Sequence, residues 1–73
     1  MVELRLHREL YDAAALEAAL QIYAPHAEIE LGDDGPHRVV RVRAASPERE
    51  RRVAGELGNY ALGMTMRGRG GQQ

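Results

Sequence analysis

Ten arginines, eleven carboxylates and three histidines carry almost all the acid–base and ligating capacity of this 73-residue sequence, which has no cysteine and no lysine. Without a thiol there is no disulfide, thiolate metal site or thiol nucleophile, and without lysine the commonest amine nucleophile is gone as well. The single serine, Ser46, precedes Pro47-Glu48 and reads as a helix cap, and the single threonine, Thr65, sits close to the C-terminal end. Gly32-Asp33-Asp34-Gly35 is acidic but too short for a calcium loop. The glycines at 68, 70 and 71 follow a helix rather than a strand, so they form no phosphate-binding loop.

The histidines are His7, His26 and His37. His7 ends the first expected strand, His26 precedes the second, and His37 follows a turn before the third. The expected topology places His7 and His26 toward one end of the sheet and His37 toward the other, so the three imidazoles do not meet on one metal. A pair of His7 and His26 with a carboxylate stays open, but no spacing matches a helical or hairpin metal motif. The expectation is a chain that is not an enzyme and takes no metal or cofactor.

The elements that must position these groups follow from periodicity. Val2-Glu3-Leu4-Arg5-Leu6-His7 alternates apolar and polar, the mark of a strand buried on one face. Leu16, Ala19, Leu20 and Tyr23 share one helical face, with Asp12 placed to cap the first turn and Pro25 to end the helix. Ala27-Glu28-Ile29-Glu30-Leu31 alternates again, and Gly32 to Pro36 is dense turn chemistry. Arg38 to Ala44 is a third strand, forming an antiparallel hairpin with the second. Ser46-Pro47-Glu48 starts a second helix, with Val53, Leu57, Tyr60, Ala61 and Met64 on one face.

The order predicts an α+β domain over residues 1–66, arranged β-α-β-β-α. It is a three-stranded mixed sheet with two helices on one face, like a ferredoxin-like fold without its last strand, and residues 67–73 are a flexible Gly/Arg tail. Strand three is expected at the centre, parallel to strand one and antiparallel to strand two. Val2, Leu4, Leu6, Ile29, Leu31, Val40 and Val42 then point at the helices. Glu3, Arg5, His7, Glu28, Glu30, Val39, Arg41 and Arg43 lie on the opposite face, where glutamates of strand two oppose arginines of strand three.

Composition narrows the function classes. A net charge of −1 removes the long-range electrostatic case for nucleic acid or an anionic membrane. Arg49, Arg51 and Arg52 cluster, but Glu48, Glu50 and Glu56 are interleaved with them, and the three tyrosines all fall at core positions. No apolar run approaches the roughly 18 residues of a spanning helix, and no secretion signal opens the chain, so a cytoplasmic protein is expected. A core of Val, Leu, Ile, Ala and Tyr in a chain this short seldom supplies more than about 3–5 kcal/mol, which favours self-association or a constant partner.

Two readings of the sheet surface stay open: a solvated, charge-paired face, or docking for a partner or a second copy. In the docking reading an extended peptide or another subunit adds to an unpaired edge strand by backbone hydrogen bonds. Arg5, Arg41 and Arg43 would orient an acidic segment, and Tyr11 and Tyr60 would anchor it.

Two resemblances bear on this. Arg67-Gly68-Arg69-Gly70-Gly71 is similar to the ending of ubiquitin-like and sulfur-carrier proteins, which implies a modifier that exposes Gly70-Gly71 after trimming of Gln72-Gln73. Those β-grasp proteins, however, begin with a hairpin, whereas here a helix follows the first strand directly.

Over residues 2 to 67 the chain resembles the small HxsD-like proteins of His-Xaa-Ser systems, bacterial clusters that pair such a protein with radical-SAM enzymes and a short repeat-bearing peptide. Leu10-Tyr11, Ala14, Ala15, Ala18, Ala19 and Tyr23 fit the family's N-terminal pattern, and Leu57, Tyr60 and Leu62 match its C-terminal signature, with Asn59 a near substitute for an aspartate. Gly58 replaces an asparagine, and Gly63-Met64 replaces an Arg-Glu pair. The resemblance implies a non-catalytic accessory protein in radical-SAM peptide modification. The alternative is a homo-oligomeric structural or assembly protein.

Overall fold

A computed structural model describes the backbone of residues 1–70 and the side chains of residues 1–68. The elements are β1 (Val2–His7), α1 (Ala13–Tyr23), a short 3-10 turn (Ala24–His26), β2 (Glu28–Asp34), β3 (His37–Arg43) and α2 (Pro47–Gly70). The strands form one sheet in the order β1-β3-β2. Both helices pack on one side of it, so the fold is α+β.

The sheet is antiparallel throughout, which corrects the mixed sheet expected from sequence. The reason is directional. α1 carries the chain back along the sheet, so β2 runs the same way as β1, and the hairpin then reverses β3 against both. Val2 therefore faces Val42, Leu4 faces Val40 and His7 faces His37. On the other side of β3, Ile29 faces Val42 and Leu31 faces Val40.

This register gathers the core. Leu6, Leu16, Ala19, Val40, Val42, Val53, Ala54, Leu57 and Ala61 are buried between sheet and helices, with Val2, Leu4, Tyr11, Leu20, Tyr23, Ile29 and Tyr60 packed around them. Leu31 shares the helix side yet stays 46% exposed, because the helix layer does not cover the far part of β2.

Local chemistry sets the element ends. The amide of Arg49 donates to Ser46 Oγ at 3.1 Å, the cap expected for α2. Asp12 occupies the cap position of α1, but its carboxylate makes no capping bond there. Its amide instead donates to Thr65 Oγ1 at 3.0 Å, and Oδ2 would lie 3.3 Å from a Cβ placed on Gly68. Asp12 thus ties the start of α1 to the far end of α2, and Thr65 is fully buried in that role.

The hairpin turn is shorter than its sequence suggests. β2 continues through Asp34, leaving only Gly35-Pro36 as the connection, with Gly35 at φ 61°. Glycine enters that region without the steric cost other residues meet. Arg8 holds the turn to the end of β1: its guanidinium pairs with Asp33 and donates to the Gly35 carbonyl, and its amide donates to the Pro36 carbonyl.

α2 also runs past the expected start of the tail, remaining helical through Gly70. Gly71 and Gln72-Gln73 lie outside the described residues.

Candidate protein-docking surface

The sheet face away from the helices is a grid of charge. One row across β1, β3 and β2 reads Glu3–Arg41–Glu30, the next Arg5–Val39–Gly32, and the next His7–His37–Asp34. Arg41 Nε donates to Glu3 Oε2 at 3.1 Å, and Arg5 reaches diagonally across β3 to Asp34 at 2.7 Å. The hydrogen bond and charge of Arg5 hold the Asp34 carboxyl below its ordinary range, with a smaller contribution from His37.

Val39 is the apolar centre of this face and only 2% exposed. Its neighbours on the face are Arg5, Gly32, His37 and Arg41, and Arg41 Nη1 lies 3.5 Å from where a Gly32 Cβ would stand. Arginine stems roof the valine while their heads pair with carboxylates, a common use of long cationic side chains. The alternation of β3 placed Val39 on this face; its burial was not legible, because it depends on which way two arginines lie.

The histidines are arranged differently from the sequence expectation. His7 and His37 sit directly opposite each other, ring centroids 5.2 Å apart and edge to face. His26 is at the other end, where its carbonyl accepts from Arg49 Nε at 3.4 Å. The antiparallel register causes this, since the end of β1 meets the start of β3. His7 Nδ1 accepts the Glu9 amide at 3.2 Å, and His37 Nδ1 is buried with no hydrogen-bond partner. Among the described residues no three His, Asp or Glu side chains are placed to hold a metal ion.

Of the residues singled out for partner binding, Arg5, Arg41 and Arg43 share the open face. Arg41 and Arg43 line a hollow of about 280 Å³ with Met1, Glu28, Ile29 and Glu30, whereas Arg5 is engaged with Asp34 away from it. Tyr11 and Tyr60 lie on the helix side, partly buried against the core, with Tyr60 edge to face with Tyr23 at 6.4 Å. Arginines and tyrosines are thus separated by the sheet and do not form one surface.

Two residues that sequence reasoning missed organise the ends of the sheet. Arg8 clamps the hairpin, and Glu50, only 7% exposed, accepts the Ala44 amide at 3.1 Å and pairs with the Met1 amino group at 2.9 Å. Those two bonds hold the Glu50 carboxyl below its ordinary range. Its only sequence signal is an acid in the first turn of a helix, which also describes the exposed Glu48.

Both edges of the sheet present outward backbone groups. The Arg8 amide bonds to Pro36 in register with the β1–β3 pairs. By the alternation of an antiparallel ladder, Val2, Leu4 and Leu6 then bond to β3, and Glu3, Arg5 and His7 turn their amides and carbonyls outward. The same alternation turns Ile29, Leu31 and Asp33 of β2 outward on the opposite edge. The His7 carbonyl is taken by the amides of Leu10 and Tyr11. No backbone bond among the described residues reaches the outer groups of Glu3, Arg5, Ile29 or Leu31.

A second hollow of about 560 Å³ lies where the 3-10 turn meets the β3–α2 connection, bordered by Pro25, His26, Arg43 and Arg49. No helix among the described residues is long and apolar enough to cross a membrane. No family model, curated protein or solved structure matches the chain.

Proposed function

We propose that this protein is a non-catalytic docking module that takes up an extended segment of a partner along the outer edge of β2. The observation that carries this reading is the edge itself. Ile29, Leu31 and Asp33 present outward backbone groups, Leu31 is 46% exposed beside them, and Glu28 and Glu30 hold no ion pair among the described residues. An added strand satisfies the backbone groups and covers Leu31, and the unpaired glutamates favour a segment with basic side chains at alternate positions. This departs from the acidic segment expected from Arg5, Arg41 and Arg43, because Arg5 and Arg41 are already neutralised within the chain.

The resemblance to HxsD-like proteins supplies the partner class: a radical-SAM enzyme, or the short repeat-bearing peptide it modifies, met in the cytoplasm. The test is co-expression of the full chain with a radical-SAM enzyme of a His-Xaa-Ser system and its repeat-bearing peptide, followed by co-purification. Capture is expected with the natural chain and is lost in Leu31→Pro, which removes an outward amide without breaking a bond to β3. Retained capture by a folded Leu31→Pro variant overturns the β2 assignment, and no capture of either partner by the natural chain overturns the accessory role.

A further inference from the structure

We propose that two copies of this chain pair through their β1 edges, antiparallel about Leu4, to make one continuous six-stranded sheet. This goes beyond the docking role, which uses the opposite edge, and either proposal can fail without the other.

The register follows from charge and from backbone parity together. Only pairings that place outward-facing residues opposite each other can form ladder bonds, which confines β1 against β1 to alternate registers. In the register centred on Leu4, Glu3 faces the second copy's Arg5 and Arg5 faces its Glu3. Each such pair exchanges two backbone bonds; Glu3 and Arg5 keep their ion pairs to Arg41 and Asp34 within each copy, and the joint sets a further opposite charge beside each. Sliding by one permitted step one way places Arg5 against Arg5, and the other way Glu3 against Glu3. Like charges directly opposite destabilise a strand pair, so one register stands out.

The other face of the joint agrees. Val2 would meet Leu6 and Leu4 would meet Leu4, continuing the apolar layer beneath the helices; Val2 and Leu4 are partly buried within one copy, Leu6 fully. A Cβ on Gly58 would sit 3.9 Å from Leu4 Cδ1, so this part of α2 lies above β1. Gly55 and Leu62, three and four residues away, fall on the same flank. A Cβ on Gly55 would touch nothing within 4 Å, and Leu62 is 41% exposed. That flank is small and apolar, with room for the second copy's α2.

β2 does not offer the same joint. Centring it on Leu31 sets Glu28 against Asp34, and the adjacent permitted registers set Glu30 against Glu30 or against Asp34. Every permitted self-pairing of β2 thus opposes acids.

Sedimentation velocity on the full chain is expected to show a dimer. Glu3→Arg and Arg5→Glu each make both charge pairs repulsive, weakening the dimer by about tenfold or more, whereas an equimolar mixture of the two variants restores opposite charges and the dimer with them. Leu4→Cys brings two thiols to the two-fold, where facing Cα atoms of a non-hydrogen-bonded pair are about 4.5 Å apart, a spacing a disulfide accepts. Mild oxidation is expected to give a cross-linked dimer, and Leu31→Cys under the same conditions is not. A natural chain that stays monomeric up to millimolar concentration overturns the proposal. So does a mixture no more dimeric than its parts, or cross-linking of Leu31→Cys as fast as Leu4→Cys. Circular dichroism identifies any variant that fails to fold, and a monomeric natural chain overturns the proposal whatever the variants do.

Discussion

β1 and β2 are both edge strands beside the same central strand, yet their surroundings differ. β1 carries one acid, one arginine and three apolar residues that turn toward the helices, and α2 lies above it. β2 carries four acids in seven residues, and its Leu31 lies beyond the helix layer. The difference teaches that an open edge is not one kind of surface. Paired with itself about Leu4, β1 sets Glu3 against Arg5, whereas every permitted self-pairing of β2 opposes acids. Acids along an edge are a familiar guard against self-pairing, and here the guard is on one side only.

The sharpest way to break that contrast is to truncate one leucine on the helix side of each strand. Leu6 on β1 is 6% exposed within the core, and Leu31 on β2 is 46% exposed. Leu6→Ala is expected to cost about 2–5 kcal/mol of unfolding free energy, and Leu31→Ala less than about 1 kcal/mol. Urea denaturation of both variants measures the gap. Equal losses would mean that the helix layer covers β2 as fully as β1, and the contrast between the edges would collapse.

A smaller effect separates the two arginines that link the outer strands. Arg8 contacts the side chain of Asp33 and the carbonyls of Gly35 and Pro36, whereas the link from Arg5 runs to Asp34 alone. Arg8→Ala therefore removes a bond to a backbone carbonyl as well as an ion pair, and about 1 kcal/mol of destabilisation is expected. Arg5→Ala removes an exposed pair and is expected to cost less. Amide exchange at His37 and Arg38, next to the turn, should rise more in Arg8→Ala than in Arg5→Ala. The reverse order would show that the diagonal tie across β3, not the turn clamp, holds β1 to β2.

What the sequence disclosed, and what it did not, divides along the same physical line. Alternation in Val2–His7, the strand pattern from Arg38 to Ala44, the helical face of Leu16, Ala19 and Tyr23, and the Ser46-Pro47 start are local signals, and each of these elements stands within a residue of where they place it. Strand direction is not local. It depends on counting reversals through α1 and the hairpin, and the mixed sheet expected from sequence carried the error to His7 and His37. The extent of β2 was misread for a related reason: Asp33 and Asp34 are turn formers by type, but pairing with Arg8 and Arg5 keeps them in the strand. Asp12 shows the limit for caps, since what fixes its place is a bond from its backbone amide to Thr65 Oγ1 on α2, more than fifty residues away in sequence. The arginine surface was legible as a face and illegible as a site, because alternation says which side a residue takes but not which carboxylate neutralises it.

The smallest effect tests the charged ties by pH. Asp34 is held below its ordinary range first by the hydrogen bond from Arg5, and Glu50 by its bonds to the Met1 amino group and the Ala44 amide. A carboxyl whose folded value is depressed binds its proton more readily when unfolded. Each group therefore stabilises the fold above its unfolded value, near pH 4, and that contribution disappears as pH falls through the lower folded value. Asp34→Asn and Glu50→Gln should each lower the urea midpoint at pH 7, and the gap from the natural chain should close as the solution is brought below about pH 4. Salt adds a discriminating arm. The exposed Arg5–Asp34 tie, on the open face between the two edges, should weaken at about 1 M salt. The contribution of Glu50, with its largely buried side chain and backbone donor, should persist. A gap for Asp34→Asn that widens in acid would place its stabilising form in the protonated state, and Arg5 would then not be what holds β1 to the end of β2.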